Sequence, residues 1–267
     1  MSRAIHPTLP HSIHGVDINV VRLVVATLEP CENHYKNALS SGNRVSGHGD
    51  VMAARKASVV AVGAHPDDVE FGCGGTIALH AQNGDLITFV YVSNGEHGGD
   101  SKERVREARN AAKILGAQKV EFLGFPDGAI GDSIDVVNAI ERILDAMDAD
   151  IVYTHTLSER HQDHRHVSQA VTSAARNCPA VIYFETPSSS NLFRPQYYVD
   201  ITSTIERKLE AVKMHFSQKS KRGVKPEIVE GQARFRGFDP QFQFAECFEI
   251  SHLHGLIQAP KGKSATR

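Results

Sequence analysis

From Ser58 onward, short β-branched runs alternate with segments of helical periodicity. Strands are expected at 58–63, 86–92, 119–123, 150–154, 180–184 and 197–201, and helices at 74–83, 102–115, 134–147, 163–177 and 202–216. A polar segment at 217–230 is expected to be irregular. Strands and helices that alternate at this spacing form parallel pairs through right-handed crossovers. The sequence therefore predicts an α/β fold, a Rossmann-like three-layer sandwich with a mostly parallel central sheet.

Composition separates the first part of the chain from this alternating part. Residues 1–57 include a glycine- and serine-rich stretch at 40–49 that is typical of a linker. Only 16–28 in this part has the pattern of a short helix or strand. We expect an N-terminal extension over 1–57, one domain over 58–258 and a disordered tail over 259–267.

Charge and hydropathy exclude several classes of protein. Lys and Arg number 29 against 31 Asp and Glu, which gives a net charge of -2, and no basic block stands out. Nucleic acid is therefore not expected as a partner. The longest apolar run, Val20 to Ala26, is interrupted by Arg22 and falls far short of the ~18 residues of a membrane span. No signal-peptide pattern is visible, so a cytoplasmic location and no membrane contact are expected. The four cysteines form no C-x-x-C pair, which disfavours a disulfide framework or a thiolate zinc site.

A turn rich in glycine and acidic residues, G-A-H-P-D-D-V-E-F-G-C-G-G-T, follows the first expected strand. The glycine spacing of a dinucleotide-binding turn fails here, because Ile77 stands where the third glycine belongs. The three carboxylates of the turn would also repel a pyrophosphate. A histidine and two adjacent aspartates at the tip of a strand instead favour a divalent cation.

A second cluster, H-Q-D-H-R-H at 161–166, lies beyond the fourth strand and leads into a helix that Asp163 is placed to cap. In the common doubly wound order the first and fourth strands are neighbours, so two clusters about 95 residues apart meet at one crevice. The alternative is that each side chain only caps a helix or a turn. The other histidines without such spacing are expected not to be ligands: His80, His97, His155, His166, His215, His252 and His254.

Together, A-H-P-D-D-V-E-x-G-x-G-G-T and the later H-x-D-H resemble the motifs of the LmbE/PIG-L-type zinc-dependent N-deacetylases. Those enzymes remove the acetyl group from N-acetylglucosaminyl compounds and related acetamido sugars. The resemblance covers about 58–253 and includes a helix bearing Arg104, an F-P-D-G turn at 125–128 and C-terminal segments such as A-E-C-F. Gln162 replaces the usual proline of H-P-D-H, at a position that supplies no ligand.

The resemblance implies that His65, Asp68 and His164 hold a zinc ion and that Asp67 is the general base. Three protein ligands leave one position of zinc open for water, whose pKa falls to about 7 when it is bound. An unligated carboxylate beside this water can take its proton. Spacing alone does not decide which of the two adjacent aspartates is the ligand.

Further roles follow from the same resemblance. His161, oriented by Asp163, corresponds to the residue that stabilises the oxyanion, and Arg104 corresponds to an arginine that holds the substrate. On spacing alone, Arg104 is equally well explained as an exposed helix residue paired with Glu103 or Glu107.

The resemblance thus implies zinc-dependent hydrolysis of the acetamide of an N-acetylglucosamine-containing small molecule, which releases acetate and a free amino sugar. The aglycone is left open: malate, inositol, a second glucosamine or an antibiotic scaffold. One rival is a metal-dependent esterase or phosphatase, for which more basic residues around the site are expected. Another is a non-catalytic sugar- or metal-binding protein, which would not need Asp67. The resemblance also implies a homo-oligomer, a trimer or hexamer. In some members of the family a C-terminal histidine enters a neighbour's site, and whether His252 or His254 does so here is left open.

Overall fold

The structure is a computed structural model that describes residues 56–219 and 225–254. Its strands are β1 (Ser58–Gly63), β2 (Leu86–Tyr91), β3 (Lys119–Phe122), β4 (Ile151–His155), β5 (Ala180–Phe184), β6 (Tyr197–Asp200) and β7 (Ala245–Leu253). Its helices are α1 (Asp68–Asn83), α2 (Ser101–Leu115), α3 (Ile134–Met147), α4 (Gln162–Ala174), α5 (Ile205–Lys213) and α6 (Pro226–Gly237). Short 3-10 turns occur at Glu96–Gly98 and Phe216–Gln218.

In the described part of the chain, the strands form a 7-stranded sheet in the order β3-β2-β1-β4-β5-β7-β6. Strands β1 to β5 are parallel, and β7 runs antiparallel to both β5 and β6. The chain winds outward from β1 to β3 and then returns at β4, beside β1. The predicted α/β fold and doubly wound order are therefore confirmed. Because Ala61 pairs with Tyr153, the carboxyl ends of β1 and β4 lie side by side, at the point where such folds bind ligands.

The continuous apolar sequence of β1 explains why helices pack on both faces of the sheet. Val59 and Ala61 pack into one core with α1, α2 and α5, while Val60 and Val62 pack into a second core with α3 and α4. A parallel strand that is covered on both faces needs apolar residues on both faces, and a continuous run supplies them. Helices therefore lie on both sides of the sheet.

Helix α1 begins at Asp68, earlier than the predicted start at 74. Glycines lower helix propensity, and the predicted helix included Gly74 and Gly75 but left out 68–73 and with it Gly72. The structure shows that close packing requires these glycines, because a Cβ on Gly72 would lie 2.2 Å from the ring of Phe184. Close packing against β5 therefore outweighs the low propensity and places the first turn of α1 at the tip of β1.

Two C-terminal elements differ from the prediction. Strand β7 was not predicted, and its place depends on pairing with β5 and β6 rather than on a local pattern. The segment 217–230 was predicted to be irregular, yet Pro226 begins α6, as suits a proline in the first turn of a helix. The predicted extension over 1–57, apart from residues 56 and 57, and the predicted tail over 259–267 lie outside the described residues. No helix of the described ranges is long and apolar enough to cross a membrane.

Candidate metal and catalytic site

The predicted site residues come together where β1 and β4 end. His65 follows β1, and Asp68 is the first residue of α1, while His164 lies in the first turn of α4. All three are buried, with relative exposures of 7%, 5% and 6%. The fold thus brings two distant segments of the chain into one cluster.

The three side chains have the spacing of ligands around one small cation. His65 Nδ1 lies 3.4 Å from Asp68 Oδ2, and His164 Nε2 lies 3.3 Å from both His65 Nδ1 and Asp68 Oδ1. A tetrahedral ion with ligand distances of about 2.0–2.1 Å separates its ligand atoms by about 3.3–3.4 Å. The donor set therefore fits a cation of the size of zinc.

The second nitrogen of His65 is held by two carboxylates. Nε2 lies 3.0 Å from Asp127 Oδ1 and 3.2 Å from Asp163 Oδ2. Ionised carboxylates only accept hydrogen bonds, so Nε2 carries the proton and Nδ1 presents its lone pair to Asp68 and His164. Burial disfavours the charged form of Asp127, but the hydrogen bond from His65 outweighs it and lowers the pKa of this carboxyl to about 2.

Asp67 lies beside this cluster in a backbone conformation that is rare for a residue with a side chain. Its φ is 111°, and such positive φ values in non-glycine residues occur often at functional sites. The buried guanidinium of Arg104 supports the turn, because its Nη2 donates to Pro66 O at 2.6 Å and lies 3.4 Å from Asp67 Oδ2. Its Nη1 donates to Gly95 O at 2.8 Å. The alternative of an exposed Arg104 is therefore wrong. Its role in holding substrate stays a prediction.

The two adjacent aspartates differ in their electrostatic surroundings. Burial raises the pKa of Asp67 to about 6, although the charge of Arg104 opposes this shift. Burial also disfavours the charged form of Asp68, but the imidazoles of His164 and His155 outweigh it and hold the pKa of Asp68 well below its usual range. Neighbouring carboxyl groups whose pKa values are pushed apart are suited to different roles. Asp68 fits the role of a charged ligand, and Asp67 fits that of a group that takes and returns a proton.

His161 lies on the exposed side of the cluster as the N-cap of α4, the position predicted for Asp163. The backbone N–H of Asp163 donates to His161 Nδ1 at 3.3 Å, so the proton of a neutral ring sits on Nε2. The carboxylate of Asp163 instead accepts from Gly128 N at 2.7 Å and contacts His65. Asp163 therefore contacts His161 through its backbone. Burial and the positive charge of His164 and His65 lower the pKa of His161, which favours the neutral ring as an N–H donor.

The structure also places His155 at the site, a residue that was not expected among the ligands. It is the last residue of β4, is fully buried and stacks on His164 with ring centroids 4.0 Å apart. Its Nε2 lies 3.2 Å from Asp68 Oδ2 and accepts from Ala64 N at 3.1 Å. Because this lone pair is used by Ala64, His155 is not counted in the ligand set. The sequence feature that could have indicated its presence at the site is the position of His155 at the tip of a strand next to β1.

Negative charge surrounds His164 as well. Burial lowers the pKa of this imidazole, but Asp68 and Glu159 outweigh it and raise the pKa to about 9. Surroundings that bind a proton so strongly also favour a metal cation in its place. No motif in the sequence indicated Glu159.

His252 and His254 lie far from this cluster within one chain. They stand at the end of β7, where His252 contacts Cys178 O and His254 N donates to Pro179 O. That is the edge of the sheet where β5 begins, opposite to the edge that carries His65.

Comparison with known proteins agrees with the motifs. Residues 60–175 match the family described as PIG-L: GlcNAc-PI de-N-acetylase. The chain is 38% identical over 173 residues to the uncharacterized deacetylase YaiS of Escherichia coli (strain K12), covering 62% of this chain and 94% of that protein. It is 28% identical over 191 residues to 4-oxalmesaconate hydratase of Pseudomonas putida, covering 60% and 74%. The solved structure of the conserved protein TT1542 from Thermus thermophilus superposes with a TM-score of 0.68 at 25% identity, covering 78% of this chain and 100% of that one. The chain belongs to the LmbE/PIG-L family of deacetylases.

Proposed function

We propose that this protein is a metal-dependent N-deacetylase that hydrolyses the acetamide of an N-acetylglucosamine-containing small molecule. The observation that carries the proposal is that two adjacent aspartates at the tip of β1 have different surroundings and suit different roles. Asp68 completes a group of three donor atoms, while Asp67 lies next to it as a buried carboxyl group with a raised pKa. A protein that only bound a metal or a sugar would not need this second carboxyl group. The family match supports the acetamido sugar as substrate class.

We further propose zinc as the metal, because two imidazoles and one carboxylate are a common ligand set of catalytic zinc sites. The same set with open positions is also used by non-haem iron enzymes. Elemental analysis of the purified protein distinguishes the two. Removal of the metal by a chelator should abolish acetate release, and added Zn²⁺ should restore it. Full activity in metal-free protein would overturn the metal dependence.

The residues present suit attack of water on the acetamide carbonyl carbon. A bound zinc ion would supply Lewis acidity and lower the pKa of water to about 7. Asp67 accepts the proton of the attacking water and returns it to the sugar nitrogen as the C–N bond breaks. His161 donates its Nε2–H to the oxyanion of the tetrahedral intermediate. The products are acetate and the free amine.

The charge of the site disfavours a phosphatase. A phosphate group would approach Asp67, Asp127 and Asp163, all of which are buried carboxyl groups at the site. The guanidinium of Arg104 already donates to two backbone carbonyl groups. Comparing acetate release from N-acetylglucosamine conjugates with phosphate release from phosphoesters tests this preference.

The similarity to 4-oxalmesaconate hydratase makes a hydratase the second candidate. Addition of water to a conjugated double bond also requires a base beside an activated water. The decisive experiment supplies the protein with a panel of N-acetylglucosaminyl compounds (linked to malate, inositol or a second glucosamine) and, separately, with 4-oxalmesaconate. Acetate release supports the deacetylase. Loss of the ultraviolet absorbance of the unsaturated acid without any acetate release would support the hydratase instead.

We propose a homo-oligomer, a trimer or hexamer, on the basis of the family resemblance, together with a cytoplasmic location and no nucleic-acid or membrane partner. Light scattering of the purified full chain tests the assembly, and a monomeric mass would contradict it.

A further inference from the structure

A buried carboxylate, Glu159, collects hydrogen bonds from the loop that follows β5. Its side chain is 0% exposed, and its Oε2 lies 3.5 Å from His164 Nδ1. Thr186 Oγ1 donates to Oε1 at 2.7 Å, Ser189 Oγ donates to Oε1 at 2.6 Å, and Ser188 Oγ donates to Oε2 at 2.6 Å. The carboxylate thus receives the protons of all three hydroxyl groups.

Ser188 lies between this carboxylate and His164. Its Oγ is 3.1 Å from His164 Nδ1 as well as 2.6 Å from Glu159. A hydroxyl group has one proton, and an ionised carboxylate can only accept. Because the proton of Ser188 is donated to Glu159, its oxygen presents only lone pairs to His164. The proton of this contact must therefore sit on His164 Nδ1.

A proton on Nδ1 leaves the lone pair of His164 on Nε2. That atom is the one 3.3 Å from His65 Nδ1 and 3.3 Å from Asp68 Oδ1, in the proposed ligand set. We propose that Glu159, acting through Ser188, is a positioning device that fixes the tautomer and ring orientation of His164 for metal binding. This inference rests on the proposed metal. It assigns roles to two residues outside the two sequence motifs.

The loop offers a matched pair of variants for the test. Ser188 and Ser189 are neighbours with the same side chain, and both donate to Glu159 at 2.6 Å, but the hydroxyl contact to His164 comes from Ser188. The Kd for Zn²⁺ is measured on the full chain by competition with a chromophoric chelator. Ser188→Ala should weaken zinc binding by about 10–100-fold, as is usual when a supporting partner of a ligand is lost. Ser189→Ala should leave the Kd nearly unchanged.

Two further measurements separate positioning from general damage to the loop. Thermal unfolding of the metal-free proteins should give the two serine variants similar Tm values. In zinc-loaded protein with ¹⁵N-labelled histidine, the Nδ1–H resonance of His164 should shift in Ser188→Ala and stay in place in Ser189→Ala. If Ser188→Ala does not fold, Glu159→Gln replaces it, because the single carbonyl oxygen of glutamine cannot accept the hydroxyl protons that reach both carboxylate oxygens.

The measurements distinguish failure of the relay through Ser188 from failure of the proposed metal site. Unchanged zinc affinity in the Ser188→Ala or Glu159→Gln protein, or equal weakening in both serine variants, overturns the relay through Ser188. If the unmodified protein itself binds no zinc or other transition metal, the proposed metal site fails instead.

Discussion

Arg104 and Asp67 are joined across the crevice by a contact that fixes the conformation of the turn between β1 and α1. Arg104 Nη2 lies 3.4 Å from Asp67 Oδ2 and 2.6 Å from Pro66 O, one residue before it. A φ of 111° is costly for aspartate and persists only where neighbouring groups enforce it. The guanidinium on α2 thus stabilises the strained backbone conformation of Asp67, the candidate base. The carboxyl group of Asp67 is therefore positioned by both α1 and α2.

Replacement of Arg104 by lysine should therefore reduce both stability and turnover. A single ammonium group cannot reproduce the planar fork that serves Pro66 O, Gly95 O and Asp67 together. We expect a loss of about 1.5–3 kcal/mol in the free energy of unfolding, the range for hydrogen bonds to a charged group. Urea unfolding and steady-state kinetics in excess zinc measure the two effects.

Arg106→Lys is the control on the same helix, because Arg106 is 70% exposed and, among the described residues, its side chain makes only a 3.6 Å contact to Glu103. Its effect should stay within about 0.5 kcal/mol. The kinetics also decide the role of Arg104. A fall in kcat at constant KM indicates that it positions Asp67, whereas a rise in KM at constant kcat indicates that it holds the substrate.

Asp67 and Asp68 have the same side chain and should respond to the same substitution in opposite ways. Asp67→Asn should keep zinc nearly stoichiometric and lose about 10²–10⁴ in rate, the usual contribution of a positioned general base. Asp68→Asn should weaken zinc binding by more than the roughly 10–100-fold that loss of a supporting contact costs. Excess zinc should restore part of the activity of the Asp68 variant only. Zinc content and acetate release measure both effects, and the reverse pattern would assign the base to Asp68.

The convergence of the main site residues could be predicted from the sequence, because these residues follow the carboxyl ends of neighbouring strands. Once β4 is placed beside β1, His65 and His164 must approach each other, whatever the side-chain details. Arg104 was ambiguous, because an i,i+3 pair with Glu107 on an exposed helix face explains this arginine as well as contact with a substrate does. Packing resolves this ambiguity, since the structure pairs Glu103 with Arg106 and Glu107 with Ser217.

Local sequence patterns did not indicate that Glu159 and Asp127 belong to the site. Glu159 reaches His164 through a hydroxyl group of the loop after β5, and Asp127 reaches His65 from the turn after β3. These contacts depend on loop conformations that no periodicity describes. Strand β7 was missed for a related reason, because its pairing partners are distant in sequence.

A pH-dependent contribution to stability is expected far from the site, at the amino ends of β1 and β2. Asp85 accepts from Ala57 N at 2.9 Å and contacts His80 Nδ1 at 2.7 Å. Burial disfavours its charged form, but these hydrogen bonds outweigh it and lower the pKa of Asp85. A lowered pKa stabilises the fold above the unfolded value of about 3.9, and the contribution disappears as the pH falls through the folded value.

Asp85→Asn should therefore lower the free energy of unfolding at pH 7, and the difference from the unmodified protein should shrink below about pH 4. Urea unfolding across this pH range measures the difference. A difference that stays constant down to about pH 3, below the unfolded pKa of aspartate, would show that the charge of Asp85 does not contribute.

Two glycines test whether the packing of α1 against β5 is required for the site. A Cβ at Gly72 would lie 2.2 Å from the Phe184 ring, whereas a Cβ at Gly231, in α6, would meet nothing within 4 Å in the part of the chain that the structure describes. Gly72→Ala must displace α1 or Phe184, and overpacking of this kind costs about 1–3 kcal/mol or more. Since α1 begins at Asp68, its displacement should also weaken zinc binding. Gly231→Ala should instead be neutral or stabilise the fold by up to about 1 kcal/mol, because alanine is the better helix former. Unfolding free energies and zinc affinities of the two variants provide the comparison, and a Gly72→Ala protein as stable and as tight a zinc binder as Gly231→Ala would contradict the close packing of α1 on β5.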